Sequence, residues 1–331
     1  MDKFFCQIVP VRIKKNWSMR RKCSGYAIFA VRKKNDVMRL GAKLGVYLAV
    51  VMSMVFWSLS FIWYRDANAY YGPITLVLLR LVVSSGLLFA LMLLTGRLVR
   101  MARADVGWFM LLAFFEPFLY FMGESNGMTL ISSTLAAVLI SLAPLLSPIA
   151  ERIFFGRRIG VLSVVGLVVS VLGVGVVVLH QGEGRMEADP YGVLLMLVAV
   201  LATAGYSVTV ARLTARYDVF TIITYQNSIG ALYFVPVFLL SELDGFMRVG
   251  ITLQSAVPIV KLGVFASTFA FVLYTYAIKH LGITRASSFT NAIPVLTAIL
   301  AYFMLGERLT PVMVLGIGVV MLGLFLSQRT G

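Results

Sequence analysis

Apolar stretches of about twenty residues follow one another from residue 44 to residue 328, with only short polar pieces between them. A bilayer core about 30 Å thick is crossed by a helix of about 20 apolar residues. Backbone placed in lipid must satisfy its hydrogen bonds within its own segment, which makes each stretch a helix. Ten spans are expected, over residues 44–64, 73–95, 106–123, 130–150, 160–180, 190–211, 219–240, 256–278, 283–304 and 311–328. The fold class that follows is an all-α polytopic membrane protein. Hydrophobic residues make up 60% of the chain and charged ones 13%, and the short connections leave no room for a soluble catalytic domain. Function therefore has to reside in the bundle.

The formal charge of +15 suggests a nucleic-acid partner only until it is located: eleven of the 29 Lys and Arg lie in the first 40 residues. The basic balance is mostly a tail, residues 1–40, and no nucleic acid is implied. Its apolar core, "YAIFAV", is too short for a span and poor as a signal-peptide core. Met38 stands immediately before "RLGAKLGVYLAVV", which makes it a candidate start of synthesis. Cys6 and Cys23 both lie in the tail, so no disulfide framework is implied. Neither His180 nor His280 belongs to a metal-ligand or nucleophile motif, and no cofactor or metal is implied.

Lys and Arg accumulate in cytoplasmic loops. With the N-terminus inside, the inner loops hold Arg97, Arg100, Arg103, Arg152, Arg157, Arg158, Arg212, Arg216, Lys279 and Arg285. The outer loops hold Arg65, Arg185, Arg248 and Arg308, and they carry the acidic Glu183, Glu187, Asp189, Glu242 and Asp244. Both termini are expected in the cytoplasm.

The chain also repeats itself. "ISLAPLLSPIAERIFFGRR" at 140–158 returns as "TNAIPVLTAILAYFMLGER" at 290–308. A gapless shift of 150 aligns Thr134 with Thr284, Ala136 with Ala286, Pro144 with Pro294, Gly156 with Gly306, Arg158 with Arg308, Gly166 with Gly316 and Gly173 with Gly323. It also pairs Phe115 with Phe265 and Phe121 with Phe271, and a nearby offset sets "FWSLSF" (56–61) against "GYSVTV" (205–210). Residues 41–180 form one five-helix repeat and 190–331 the second, joined by an outer linker, 181–189. An odd number of spans inverts the second copy. Inverted repeats typify secondary transporters, whose site lies near the midplane between the halves. Pro144 and Pro294 each remove a hydrogen bond from the fourth helix of a repeat, as hinges or as static kinks. Gly166, Gly173, Gly316 and Gly323 are expected to pack spans 5 and 10 closely.

The motifs "SSTLAAVLISLAPLLSPIAERIFFGRRIG", "TRASSFTNAIPVLTAILAYFMLGERLT" and "WSLSF" resemble the EamA branch of the drug/metabolite transporter superfamily over residues 40–328. The resemblance implies a ten-helix exporter or exchanger of small organic metabolites, such as amino acids, working without ATP hydrolysis. No P-loop pattern contradicts this. The sequence departs from the family where Arg157 aligns with Glu307, the family's usual terminal Glu, while Glu151 appears earlier.

An ionisable side chain at mid-bilayer costs about 2.5–3.5 kcal/mol on insertion scales and should face a cavity or a partner. The candidates are Arg80 in span 2 and Glu116 and Glu124 in span 3. Glu116, Tyr120 and Glu124 are spaced by four, along one face of a continuous helix. Glu116 is the candidate site for a coupling proton or a substrate ammonium; a structural pair with Arg80 is the alternative, and for Glu124 a solvated place at the outer boundary. Tyr206, Gln226, Tyr274, Thr290 and Asn291, with Trp57, Ser58 and Ser141, would complete the walls. Tyr64, Tyr70, Tyr71 and Trp108 are expected as interfacial anchors, with Lys261 snorkelling. The expected partners are a small-molecule solute, the lipid bilayer and a coupling proton, for a monomer or a homodimer in a bacterial inner membrane. A lipid or lipid-linked sugar flippase is the alternative, marked by a lateral cleft where a solute carrier has a closed cavity. An intramembrane enzyme would need paired Asp, Ser with Lys or a His-rich site at membrane depth, and none is present.

Overall fold

The computed structural model describes residues 44–96, 99–143, 145–146, 160–179, 189–307 and 309–328. The chain divides into Met1–Leu48, of which residues 44–48 are described, and Ala49–Gly331, which holds every contact below. Among the described residues all regular structure is helical. Seven helices are long and apolar enough to cross a membrane: α1 (Leu44–Asn68), α2 (Pro73–Leu94), α3 (Arg103–Gly127), α6 (Pro190–Thr214), α7 (Val219–Ser241), α8 (Leu253–Leu281) and α9 (Arg285–Leu305). Between them lie α4 (Ser133–Ile140) and α5 (Val161–Leu179), and α10 (Pro311–Gln328) closes the chain. The tail with Met38, the linker to 188, and Pro144, Glu151, Gly156, Arg157, Arg158 and Arg308 lie outside the described residues.

Local chemistry sets the helix starts. Proline opens α2, α6 and α10, where a missing N–H costs nothing. Asp189 and Asp218 accept from the N–H groups of Tyr191 and Phe220, and Thr252 and Ser255 form a capping box on α8. Two helices borrow part of their caps from the other half of the chain. The Glu242 carboxylate, after α7, accepts from Ile74 N–H at 3.1 Å, Thr75 N–H at 2.8 Å and the Thr75 hydroxyl at 2.6 Å. Gly72 makes this possible, because a Cβ there would overlap that carboxylate. Glu307, after α9, does the same for α4 through Ser133 N–H at 3.0 Å and Thr134 Oγ1 at 2.7 Å, beside α4's own cap, Ser132.

These contacts gather at one end of the bundle. There the Tyr64 hydroxyl donates to Ser125 O at 2.8 Å and the Tyr71 hydroxyl to Gly250 O at 2.6 Å. Both tyrosines are buried, which corrects their expected place as interfacial anchors; Tyr70 alone of the three is exposed. At the opposite end Asp105 accepts from Arg216 at 3.0 Å and from the Tyr217 hydroxyl at 2.8 Å. Trp108 is half-buried there under the Arg212 guanidinium, 4.1 Å from its ring centre. Lys261 is exposed.

Helices α5 and α10 pack through glycine in opposite senses. A Cβ on Gly173 would lie 2.7 Å from Val320 N, and one on Gly323 would lie 2.6 Å from Gly166 O. The Ser170 hydroxyl crosses the seam to Val320 O at 3.2 Å. Small residues permit the backbone approach that gives lipid-embedded helices their van der Waals attraction.

Candidate functional site

A partly open cavity, about 80 Å³ in volume, is lined by α1, α2, α3, α6, α8, α9 and the end of α4. The charged groups come from α2 and α3. Arg80, Glu116 and Glu124 all line it, with exposures of 3%, 6% and 7%.

The sequence around Glu116 reads "FFEPFLYFMGE", and Pro117 has no N–H to give to the preceding turn. The helix opens over Phe114–Leu119 into a wider turn in which Glu116 takes an extended backbone, φ −148 and ψ 117. The expected single helical face through Glu116, Tyr120 and Glu124 is therefore broken at its first member. All three still reach the cavity, because the opened turn is held from outside. Gly230 on α7 leaves room for the Pro117 ring, and Gly205 on α6 for the Phe115 ring, which a Cβ would approach to 2.6 Å.

Glu124 is buried and accepts the Tyr120 hydroxyl at 2.7 Å, so the solvated alternative does not hold. Arg80 forms no ion pair among the described residues, and the structural pair with Glu116 is absent. Its Nε donates to Ser267 Oγ at 2.8 Å, and its guanidinium lies 4.3 Å from the Phe121 ring centre, a cation–π contact. Ser267 belongs to a second opened turn, Leu262–Ala270 of α8. Behind it Asn227 Nδ2 donates to Ser267 O at 2.9 Å and Ser84 Oγ at 2.7 Å, while Ser84 shares a 2.7 Å bond with Thr268. Thr268 in turn donates to Gly263 O, five residues back, satisfying a carbonyl that the wide turn frees. Arg80 is thus fixed by a polar network joining α2, α7 and α8.

The opposite wall is aromatic and hydroxylated. Trp57 meets Tyr274 at 4.9 Å and Phe271 at 5.2 Å between ring centres, both edge-on, and Tyr206 meets Phe271 at 6.3 Å. Thr290 lines the cavity, its hydroxyl returned to Ser287 O at 2.7 Å. Four expected wall residues lie outside the lining. Ser58 and Gln226 are buried, and among the described residues neither the Ser58 hydroxyl nor either Gln226 amide atom has a hydrogen-bond partner. The Ser141 hydroxyl donates to Val138 O, and Asn291 Oδ1 is unpartnered.

Pro294 is buried in the third position of the helical run Ala292–Leu305, after a tight turn at Phe289–Asn291. Its missing N–H therefore falls in a first turn, not deep in a helix as expected. Helix α4 ends correspondingly at Ile140, with a turn at 141–142 ahead of residue 144.

Sequence reasoning missed Ser60, Thr203, Ser207 and Ser287, which line the cavity, and Ser267, which holds Arg80. Helical spacing was the available signal: Ser60 is three residues from Trp57, Thr203 is three from Tyr206, and Ser207 is four from Thr203.

The profile of the EamA-like transporter family matches residues 44–179 and, a second time, residues 190–328. An uncharacterized transporter of Archaeoglobus fulgidus is 30% identical over 283 residues, 86% of this chain and 98% of its own. A probable terminal-alkyne amino-acid exporter of Streptantibioticus cattleyicolor is 26% identical, over 85% of this chain and 92% of its own. The inner membrane transporter YedA of Escherichia coli is 24% identical, over 87% and 92%. A solved crystal structure superposes with a TM-score of 0.64 at 19% identity, covering 86% of this chain and 99% of that one.

Proposed function

Because the chain belongs to the EamA-like transporter family, a family of transporters and not of enzymes, we propose that it is a secondary transporter exporting or exchanging small organic metabolites, amino acids or related compounds. It sits in a bacterial inner membrane and works by alternating access about the cavity. The observation that carries this reading is that repeat-related positions meet at one shared cavity that holds the buried charged groups. Phe121 and Phe271, Glu124 and Tyr274, Ile140 and Thr290, and Ala143 and Ile293 are pairs separated by 150, and every member lines the cavity.

Two five-helix repeats of opposite sense account for this and for the twofold family match. They also account for the α5–α10 seam, where Ser170 bonds to Val320, its own counterpart at the same offset. Helices α3 and α8 open at matched positions, and the helical hydrogen bonding of α4 and α9 is interrupted at 141–142 and Phe289–Asn291, positions near one another under the same offset. Broken helices about a midplane site are the usual construction of such carriers. A lining shared by helices of both halves supports a central solute site over a lipid groove.

At about 80 Å³ the cavity is smaller than the roughly 300–1,000 Å³ of typical ligand sites. Both ends are tied by contacts between the halves: Glu242, Glu307 and Tyr71 at one, Asp105 with Arg216 and Tyr217 at the other. In an alternating-access cycle one set of ties is released at a time. Loop charge puts the Glu242 end outside and both termini in the cytoplasm. The test is uptake of labelled amino acids, amines and sugar phosphates into proteoliposomes, with and without a pH gradient. Saturable amino-acid flux that Arg80→Met reduces supports the reading, and absence of flux for the whole panel refutes it.

A further inference from the structure

The charges lining the cavity do not balance. Arg80 supplies +1 and Glu116 and Glu124 supply −2, a sum of −1 when all three are ionised; no other Lys, Arg, His, Asp or Glu lines it among the described residues. Tyr120, Tyr206 and Tyr274 also face it, Tyr64 packs above it on Ser125, and phenols add no charge at neutral pH. The lining from α1, α4 and α9 is non-titrating, and α7 reaches the charged groups through the amide of Asn227. A net charge on buried groups at membrane depth is heavily penalised. Each translocating state therefore needs one further positive charge in this site.

The three groups are not equally available to supply it. Arg80 is fixed by Ser267 and Phe121, and Glu124 is engaged by Tyr120. Glu116 makes no hydrogen bond among the described residues, faces the cavity, and stands on the one extended residue of the α3 break.

Resting on the transporter reading above, we propose that the loaded and empty sites both cross as neutral units, with Glu116 as the proton carrier. A zwitterionic solute then crosses with Glu116 protonated throughout and moves no net proton. A monocationic solute displaces that proton and exchanges against it one for one. In the exchange the Glu116 O–H bond breaks, its proton leaves to water on the side the cation enters, and the carboxylate faces the cation. Once the cation departs on the far side, a proton from that side re-forms the O–H bond and the neutral site returns.

Norleucine and lysine are a matched pair of probes, equal in chain length and differing by one ammonium. The full chain is reconstituted in liposomes enclosing a pH-sensitive dye, and labelled solute is followed in parallel. Norleucine flux without a pH change is expected, together with lysine entry that makes the lumen alkaline by one proton per lysine. Neither flux responds to an imposed membrane potential. Glu116→Gln lowers the ratio of lysine exchange to norleucine flux by about tenfold or more and abolishes the proton count that accompanies lysine, and Glu116→Asp restores both.

Protons moving with norleucine, or lysine flux that is voltage-driven or proton-free, overturn the proposal while leaving the transporter reading intact. Loss of norleucine flux in Glu116→Gln with its retention in Glu116→Asp overturns the proton held throughout. Flux of neither probe, nor of phenylalanine, overturns the transporter reading and the proposal with it.

Discussion

Single residues matter here mainly through the room they leave. Gly230 has no side chain because Pro117 occupies that space, and the opened turn that presents Glu116 depends on the fit. Gly230→Val is expected to cost about 1–3 kcal/mol through overpacking, visible as a lowered melting temperature in detergent. Gly245→Ala, where a Cβ meets nothing within 4 Å, should stay within about 0.5 kcal/mol of the parent. The ionisable residues of the site were legible from the sequence because a charge in an apolar run is conspicuous. Their partners were not. Ser267 looks like any serine in a membrane helix, and only the fold shows that it lies 187 residues along the chain from the guanidinium it fixes.

At the scale of the element, the apolar runs announced the helices and proline announced the breaks, yet neither located a break to the residue. Pro117 opens α3, whereas α8 opens at the matching place with no proline inside the turn, held by Thr268 on Gly263 O. The repeat of Pro144 and Pro294 was plain, but Pro294 sits in a first turn because a tight turn at Phe289–Asn291 precedes the α-helical run that begins at Ala292. Helix α2 lacks a cap of its own, since Gly72 has no side chain to offer. Glu242→Ala should expose its first amides at a cost of about 1–2 kcal/mol. Hydrogen exchange should accelerate at Ile74 and Thr75 and stay unchanged at Tyr191, whose helix is capped by its own Asp189.

For the whole molecule, the sequence offset of 150 was legible, and what it could not state is that matched residues touch. In a Cys6→Ser, Cys23→Ser background, cysteines at Ser170 and Val320 are expected to join under a short bifunctional thiol reagent. Cysteines at Val164 and Val320, on the same two helices but out of register, should not. The topology predicts that a cysteine at Gly245 reacts with an impermeant maleimide in intact cells and that one at Arg216 does not; the reverse pattern would invert the orientation. The polar ties between the halves also bear on how the protein is made. A ribosome delivers the first five helices before the rest, and until then α2 and part of the α4 cap lack their carboxylates, Asp105 lacks Arg216, and Arg80 lacks its serine. The early half is thus an unfinished product that quality-control proteases can recognise. Halves expressed from separate messages should rescue one another, each serving as the other's chaperone.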